Sequence, residues 1–182
     1  MHQASFKNAG GNNMNMEIVI QNHTTKEVMT YTEIEEAMLA LEDLREAQPT
    51  HEIEITQITT PIMDIPVTED NLEALMACED ENELELILHL WKSVLGDYYT
   101  DSLERVDRER EGFDIQVEYG SDLMVAFETY VRQSFEEFGD LRHFPEDLMD
   151  FFDYERYLKE LKTRGTFIFE LSYGFAFVRP KY

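Results

Sequence analysis

The chain has a single cysteine, Cys78, among its 182 residues. That excludes an intramolecular disulfide framework and a thiolate zinc cluster, and it fits a cytosolic setting. No apolar run approaches the roughly 18 residues that a membrane span needs. The opening MHQASFKNAGGNNMNM lacks the apolar centre of a signal peptide, and residues 1–15 are expected to be disordered. Cations are scarce, with 15 Lys+Arg against 39 Asp+Glu and a net charge of −24. A surface of that sign repels nucleic acid and anionic membrane and attracts basic proteins. Neither direct nucleic acid nor a membrane is therefore an expected partner.

Catalytic motifs are missing as well. The five histidines, His2, His23, His51, His89 and His143, form no H-E-x-x-H, and there is no G-x-S-x-G elbow or G-x-x-x-x-G-K-S/T loop. No stretch has the register of a calcium-binding EF-hand loop. Aromatics such as Phe151 and Phe152 have no basic groove to stack bases in. Carboxylates are so abundant that their pairing says nothing about acid–base chemistry. No enzyme activity, cofactor or metal is expected. His89 reads as a satisfied helix residue and Cys78 as a buried structural thiol. No internal repeat and no Gly/Ser- or Pro-rich linker divides the chain.

What is present is 43% hydrophobic residues, enough to form a core, with acids interleaved from Glu17 to Glu170. Interleaving of this kind describes folded elements with acidic outer faces, whereas a block of like charge would describe a tail. Met16–Ile20 and Val28–Tyr31 read as short strands. Thr32 and Glu35 form a capping box that opens a helix with Ile34, Ala37, Met38, Leu41 and Leu44 on one face, stopped by Pro49. His51–Ile58 alternates as a half-buried strand, and Pro61 and Pro66 bracket an extended segment. Thr68 begins a helix with Leu72, Leu75 and Met76 inward. Asn82–Leu95 is a helix with the stripe Leu84, Ile87, Leu88, Trp91, Val94 and Leu95, ended by Gly96. A weaker helix over 100–110 follows. Phe113–Tyr119 alternates as a strand, with Asp114, Gln116 and Glu118 opposite the apolar side. Ser121 or Asp122 caps a helix to Phe138. These elements predict an α+β fold of small stacked lobes with an elongated acidic surface: a small α/β lobe at 16–66, a helical lobe at 67–111, and a C-terminal lobe at 112–182 that packs helices on a sheet.

The last third carries the clearest local pattern. Asp150 or Asp153 caps a helix whose Tyr154, Tyr157, Leu158 and Leu161 make one stripe. Gly165 ends it. Phe167, Phe169 and Leu171 then alternate with Ile168 and Glu170, and Ser172-Tyr173-Gly174 turns the chain into Phe175–Val178. Phe152-Asp153-Tyr154, Tyr157, Glu160-Leu161, Gly165-Thr166-Phe167-Ile168 and Gly174-Phe175 stand in the order and spacing of the C-terminal part of the ArdA antirestriction proteins, which this stretch resembles. The resemblance implies a homodimeric DNA mimic that inhibits type I restriction–modification enzymes. Near the start the chain departs from that family. The YN-x-G-x-x-x-G-x-W stretch is replaced by Val19–Thr25 without its Gly and Trp, so the N-terminal lobe is diverged and the target less defined.

Carboxylates at i and i+4 on a helix rise about 6 Å, and at i and i+2 on a strand about 6.8 Å. Both are close to two steps of the roughly 3.4 Å phosphate spacing along one DNA strand. The candidates for a phosphate-like surface are Asp114 and Glu118 on the strand, Glu128, Glu136 and Glu137 on the following helix, and Asp147, Asp150, Asp153 and Glu155 beyond. Each alone is an ordinary solvated acid; only the collective pattern has meaning. The partner expected from it is the basic DNA-binding groove of a host defence nuclease in the bacterial cytoplasm. An inhibitor of an RNA-guided DNA nuclease on the same scaffold is the alternative, and an acidic adaptor without a nuclease target is a further one.

Overall fold

A computed structural model describes residues 14–78, 80–96, 102–137 and 151–181, with the side chains of 135–137 outside the description. Most of the expected disordered N-terminus, Phe138 at the expected end of the helix that Ser121 or Asp122 caps, and the alternative cap Asp150 lie outside it. The class is α+β, with six α-helices and two antiparallel sheets among the described residues. The chain divides into two compact units, one reaching Glu81 and one starting at Asn82. The helical stretch 67–111, expected as a lobe of its own, is shared between them.

In the first unit, β1 (Glu17–Asn22), β2 (Val28–Tyr31), β3 (Ile53–Thr59) and β4 (Asp64–Ile65) pair in the order β2-β1-β3-β4. Helices α1 (Ile34–Ala47) and α2 (Glu69–Ala77) complete it. Ile18, Ile20, Ile53, Ile55, Ile58 and Ile65 are buried, as are Ile34, Ala37 and Leu41 of α1. Glu17, Glu54, Thr56 and Gln57 are exposed. This is an antiparallel sheet with one face covered. Ile53 and Ile55 share a parity that Ile58 breaks, yet all three face inward. The register explains it: Ile20 opposes Ile55 while Val19 opposes Gln57, so Thr56 is a bulge residue. One extra residue restores the apolar side chain to the core face.

Two local expectations fail in this unit. The capping box does not form: Glu33 is the N-cap of α1, without a side-chain cap bond. Strand β2 pairs as far as Tyr31, opposite Ile18, and this sets where the helix can begin. In α2, Thr68 caps as expected, accepting from the Asn71 N–H at 3.2 Å. Met76, however, is 46% exposed, and the inward position goes to Asn71, which is fully buried and donates to the Pro66 carbonyl at 2.9 Å.

The β1–β2 turn is organised by buried Asn22. Its Oδ1 accepts from the N–H groups of Thr24 and Thr25 at 3.0 and 3.1 Å. Its Nδ2 donates to Gln48 Oε1 at 3.0 Å and to His51 Nδ1 at 3.1 Å. The amide orientation is set by the two backbone donors, which turns Nδ2 toward Gln48 and His51. Asn22→Ala leaves these donors and acceptors without their buried partner. It is expected to cost about 2–3 kcal/mol, read as a lowered urea midpoint. A variant as stable as the parent would show that water replaces the amide.

The second unit contains α3 (Glu81–Leu90), which continues as a π-helical turn over Trp91–Leu95, then α4 (Leu103–Glu109), β5 (Phe113–Tyr119), α5 (Leu123–Glu137), α6 (Tyr154–Thr163), β6 (Phe167–Leu171) and β7 (Gly174–Pro180). The sheet order is β5-β7-β6. Asp122 caps α5 through its Oδ1, which accepts from the Met124 and Val125 N–H groups. Asp153 caps α6. Thr166 N–H bonds the Leu161 carbonyl and Gly165 N–H the Lys162 carbonyl, with Gly165 at φ +91, so α6 ends in a Schellman motif.

Both faces of this sheet are covered. On one, Phe175 and Phe177 pack with Ala126, Phe127, Tyr130 and Val131 of α5 and with Leu158 and Leu161 of α6. Phe127 is fully buried, its ring 5.8–6.4 Å from those of Phe177, Tyr130, Tyr157 and Tyr154. On the other, Phe169 stacks on His89 of α3 at 5.4 Å. Glu85 of α3 accepts from the Ser172 backbone N–H at 2.8 Å and its hydroxyl at 2.6 Å, clasping the β6–β7 hairpin. The central strand β7 is buried from Gly174 to Val178, which is why it reads as an uninterrupted apolar run.

Burial holds His89 below its ordinary pKa, with Lys92 adding to the effect and Glu85 opposing it. The unfolded chain protonates this residue near pH 6.5, so below that pH the unfolded state binds more protons and stability falls as pH falls. His89→Phe is expected to flatten the loss of stability as the pH falls below about 6.5. Thermal melts across that range check it; parallel curves for parent and variant would remove His89 as the cause.

Candidate functional site

The nine acids expected to form one surface fall in different environments. Glu118 is a correction: it is 8% exposed and accepts from Gln116 Nε2 at 2.7 Å. Asp114, Gln116 and Glu118 lie on the face of β5 that packs against α5, because they pair with Arg179, Phe177 and Phe175. Gln116 also bonds Gln133 of α5. Tyr119, on the side expected to be inward, is 79% exposed. Asp114 is half-exposed and ion-paired to Arg179, whose Nε donates to Asp114 Oδ2 at 2.9 Å. Glu128 is held by Arg132 through Nε at 3.0 Å and Nη2 at 2.7 Å. Asp153 and Glu155 are exposed at the start of α6. Glu136 and Glu137 close α5, but their side chains, like all of Asp147 and Asp150, lie outside the described residues.

The second unit thus meets much of its acid with arginine. Arg108 pairs with Glu104, Arg110 with Glu83 and Asp107, and Arg164 with Glu160. From Asn82 onward there are 22 Asp+Glu against 12 Lys+Arg; up to Glu81 there are 17 against three, namely Lys7, Lys26 and Arg45. The first unit is the less compensated of the two.

Its acids are also ordered. On α1, Glu35, Glu36, Glu42, Asp43 and Glu46 are all exposed. At 100° per residue they fill an arc of about 120°, in one row of Glu35, Glu42 and Glu46 and another of Glu36 and Asp43. Steps of seven residues rise about 10.5 Å and the step of four about 6 Å, near three and two phosphate spacings of roughly 3.4 Å. Arg45 lies off this arc, and its Nε donates to the Ile53 carbonyl at 3.0 Å. Leu39 sits within the arc and is 64% exposed. Partial burial and the charges of Glu81, Glu36 and Glu35 raise the pKa of Glu33 at the N-terminus of α1, so like charges crowd there.

No family model, curated protein or solved structure matches the chain. Among the described residues no group of three or more His, Cys, Asp or Glu is placed to hold a metal ion, and no helix is long and apolar enough to cross a membrane. The expectation from sequence centred on the C-terminal third and passed over α1. The signal for α1 was available in the count of cations in each half of the chain.

Proposed function

We propose that this chain is a non-enzymatic acidic DNA mimic that inhibits a DNA-targeting defence nuclease of a bacterial host, with type I restriction–modification enzymes as the first target class. It acts in the host cytoplasm as a homodimer and occupies the basic groove that otherwise holds DNA. The observation that carries this reading is the cation-free acidic arc of α1, with rises near whole phosphate steps. The resemblance of the C-terminal third to the ArdA proteins supplies the target class and the dimer. Mimicry of this kind uses fixed charges on a rigid element, and the aligned charge speeds association with a basic partner.

The RNA-guided nuclease reading is favoured by one feature. The Asn22-centred hairpin turn stands where the family places its Gly and Trp motif, so the first unit presents a different surface. Plating of unmodified phage on hosts that express the protein separates the readings. Rescue in a host with a type I restriction system is the expected result. Rescue confined to a host with a CRISPR system moves the target to the RNA-guided enzyme. Rescue in neither, with a stable complex to a protein that binds no DNA, would replace inhibition with the adaptor role.

A further inference from the structure

Most arginines of the second unit are engaged within it. Arg108, Arg110, Arg132, Arg164 and Arg179 each hold a carboxylate. Arg156, Lys159 and Lys162 of α6 differ. All three are exposed, and among the described residues none of them makes an ion pair.

The core decides where these cations point. Leu158 and Leu161 are buried, and Tyr154 and Tyr157 pack against the same cluster, so that face of α6 is turned inward. At 100° per residue, Arg156, Lys159 and Lys162 step back 60° at a time. They fill an arc of about 120° on the outer surface, about 9 Å from end to end. Thr163 lies within this arc and is uncharged. Glu155 enters it only at the first turn, and Glu160 lies outside it, held by Arg164.

The chain thus carries two uncompensated surfaces of opposite sign. The other is the arc of α1, with five exposed acids and with Arg45 off it, bonded to the Ile53 carbonyl. From Glu35 to Glu46 that arc runs about 16.5 Å, long enough to seat the α6 stripe. We propose that the cation stripe of α6 docks on the acid arc of α1 in a second copy of this chain. Charge complementarity selects the occupant. Leu39, 64% exposed inside the arc, gives the aliphatic stems of Lys and Arg an apolar contact. The net repulsion between two copies is screened over about 8–10 Å at physiological salt, whereas the paired groups touch. Each exposed pair is weak, so the contact is reversible and grows with concentration. The inference does not depend on the DNA-mimic reading. A docked copy covers the arc on which that reading rests, so the two uses of α1 exclude each other.

Sedimentation equilibrium of the full chain tests this at physiological ionic strength, from micromolar up to about 1 mM and with no nuclease present. The mass is expected to rise with concentration above its dilute value. It should return to that value in about 1 M salt, where screening falls to roughly 3 Å. Two variants locate the contact. One carries Arg156→Gln, Lys159→Gln and Lys162→Gln; the other changes the five acids of the α1 arc to their amides. Neither is expected to associate alone. An equimolar mixture of the two is expected to associate, because one keeps the arc and the other keeps the stripe. Circular dichroism checks that both are folded; if the triple variant is not, Lys159→Gln alone must weaken the association of the parent. A parent mass that does not rise, a rise that survives 1 M salt, association unchanged in either variant, or a mixture that stays apart overturns the proposal. So does a parent that does not self-associate but binds a single-stranded oligonucleotide through these three cations, which would assign the stripe to phosphates.

Discussion

Gly174→Ala is expected to destabilise the second unit by on the order of 3 kcal/mol, at the upper end of overpacking costs. A Cβ at this position would stand 2.2 Å from the Glu118 carbonyl oxygen, 2.9 Å from Tyr119 Cα and 3.0 Å from the Glu118 carbonyl carbon. All three are backbone atoms of β5, so no side-chain rotation relieves the contact. Gly174 opens β7 and pairs with Tyr119 on one side and Leu171 on the other, so yielding there disturbs both ladders. Trp91, the only tryptophan, is buried in the same unit and reports its unfolding by fluorescence. The urea midpoint of Gly174→Ala should fall well below that of the parent. Gly112→Ala, where an added Cβ meets nothing within 4 Å, should stay within about 0.5 kcal/mol of it. Equal midpoints for the two variants would mean that β5 and β7 do not pair in this register.

If the chain acts as the proposed DNA mimic, changing Glu35, Glu36, Glu42, Asp43 and Glu46 together to their amides is expected to weaken inhibition strongly without loss of fold. An exposed charge pair contributes about 0.2–1 kcal/mol. Five of them sum to about 1–5 kcal/mol, between roughly fivefold and several thousandfold in affinity. Single changes should each cost less than about 1 kcal/mol. Stability should rise, because a net charge of −24 strains the folded state by self-repulsion and these acids lie off the buried face of α1. Salt should relieve inhibition by the parent, since exposed pairs are screened over about 8–10 Å at physiological ionic strength. Leu39→Ser should weaken binding with the salt dependence unchanged, because its contribution is apolar. Titration of the inhibited nuclease at two salt concentrations reads all of this. Complete loss from one acid-to-amide change in a folded protein, with no response to salt, would replace distributed charge with a single localised contact.

The local features read from sequence share a short range. Thr68, Asp122 and Asp153 cap their helices, and Gly96 and Gly165 end theirs at positive φ, because capping depends on residues within one turn. The alternation at Ile53 and Ile55 of β3 was legible because the first sheet has one covered face, so apolar parity and burial coincide as far as the bulge at Thr56. The failures are nonlocal. Glu118 is polar by parity yet buried, and Tyr119 is apolar by parity yet exposed. The second sheet is covered on both faces, and nothing within β5 records how many layers lie above it. Leu86 and Leu90 of α3, which lie off the expected stripe, are buried as well.

For the candidate site the division is similar. Charge sign and the shortage of cations in the first 81 residues are composition, and the sequence alone determines them. Which acids remain uncompensated is decided by tertiary structure. Arg179 reaches Asp114 across a strand pair 65 residues apart in the chain, and Arg110 reaches Glu83 across 27. Burial is decided in the same way, since Glu118 lies beside Phe175 of β7 on the face of β5 that α5 covers, while α1 rests on a one-sided sheet and keeps its acid arc in solvent. A side chain's charge is a property of its residue, but its exposure and its partner depend on elements that meet only when the chain has folded.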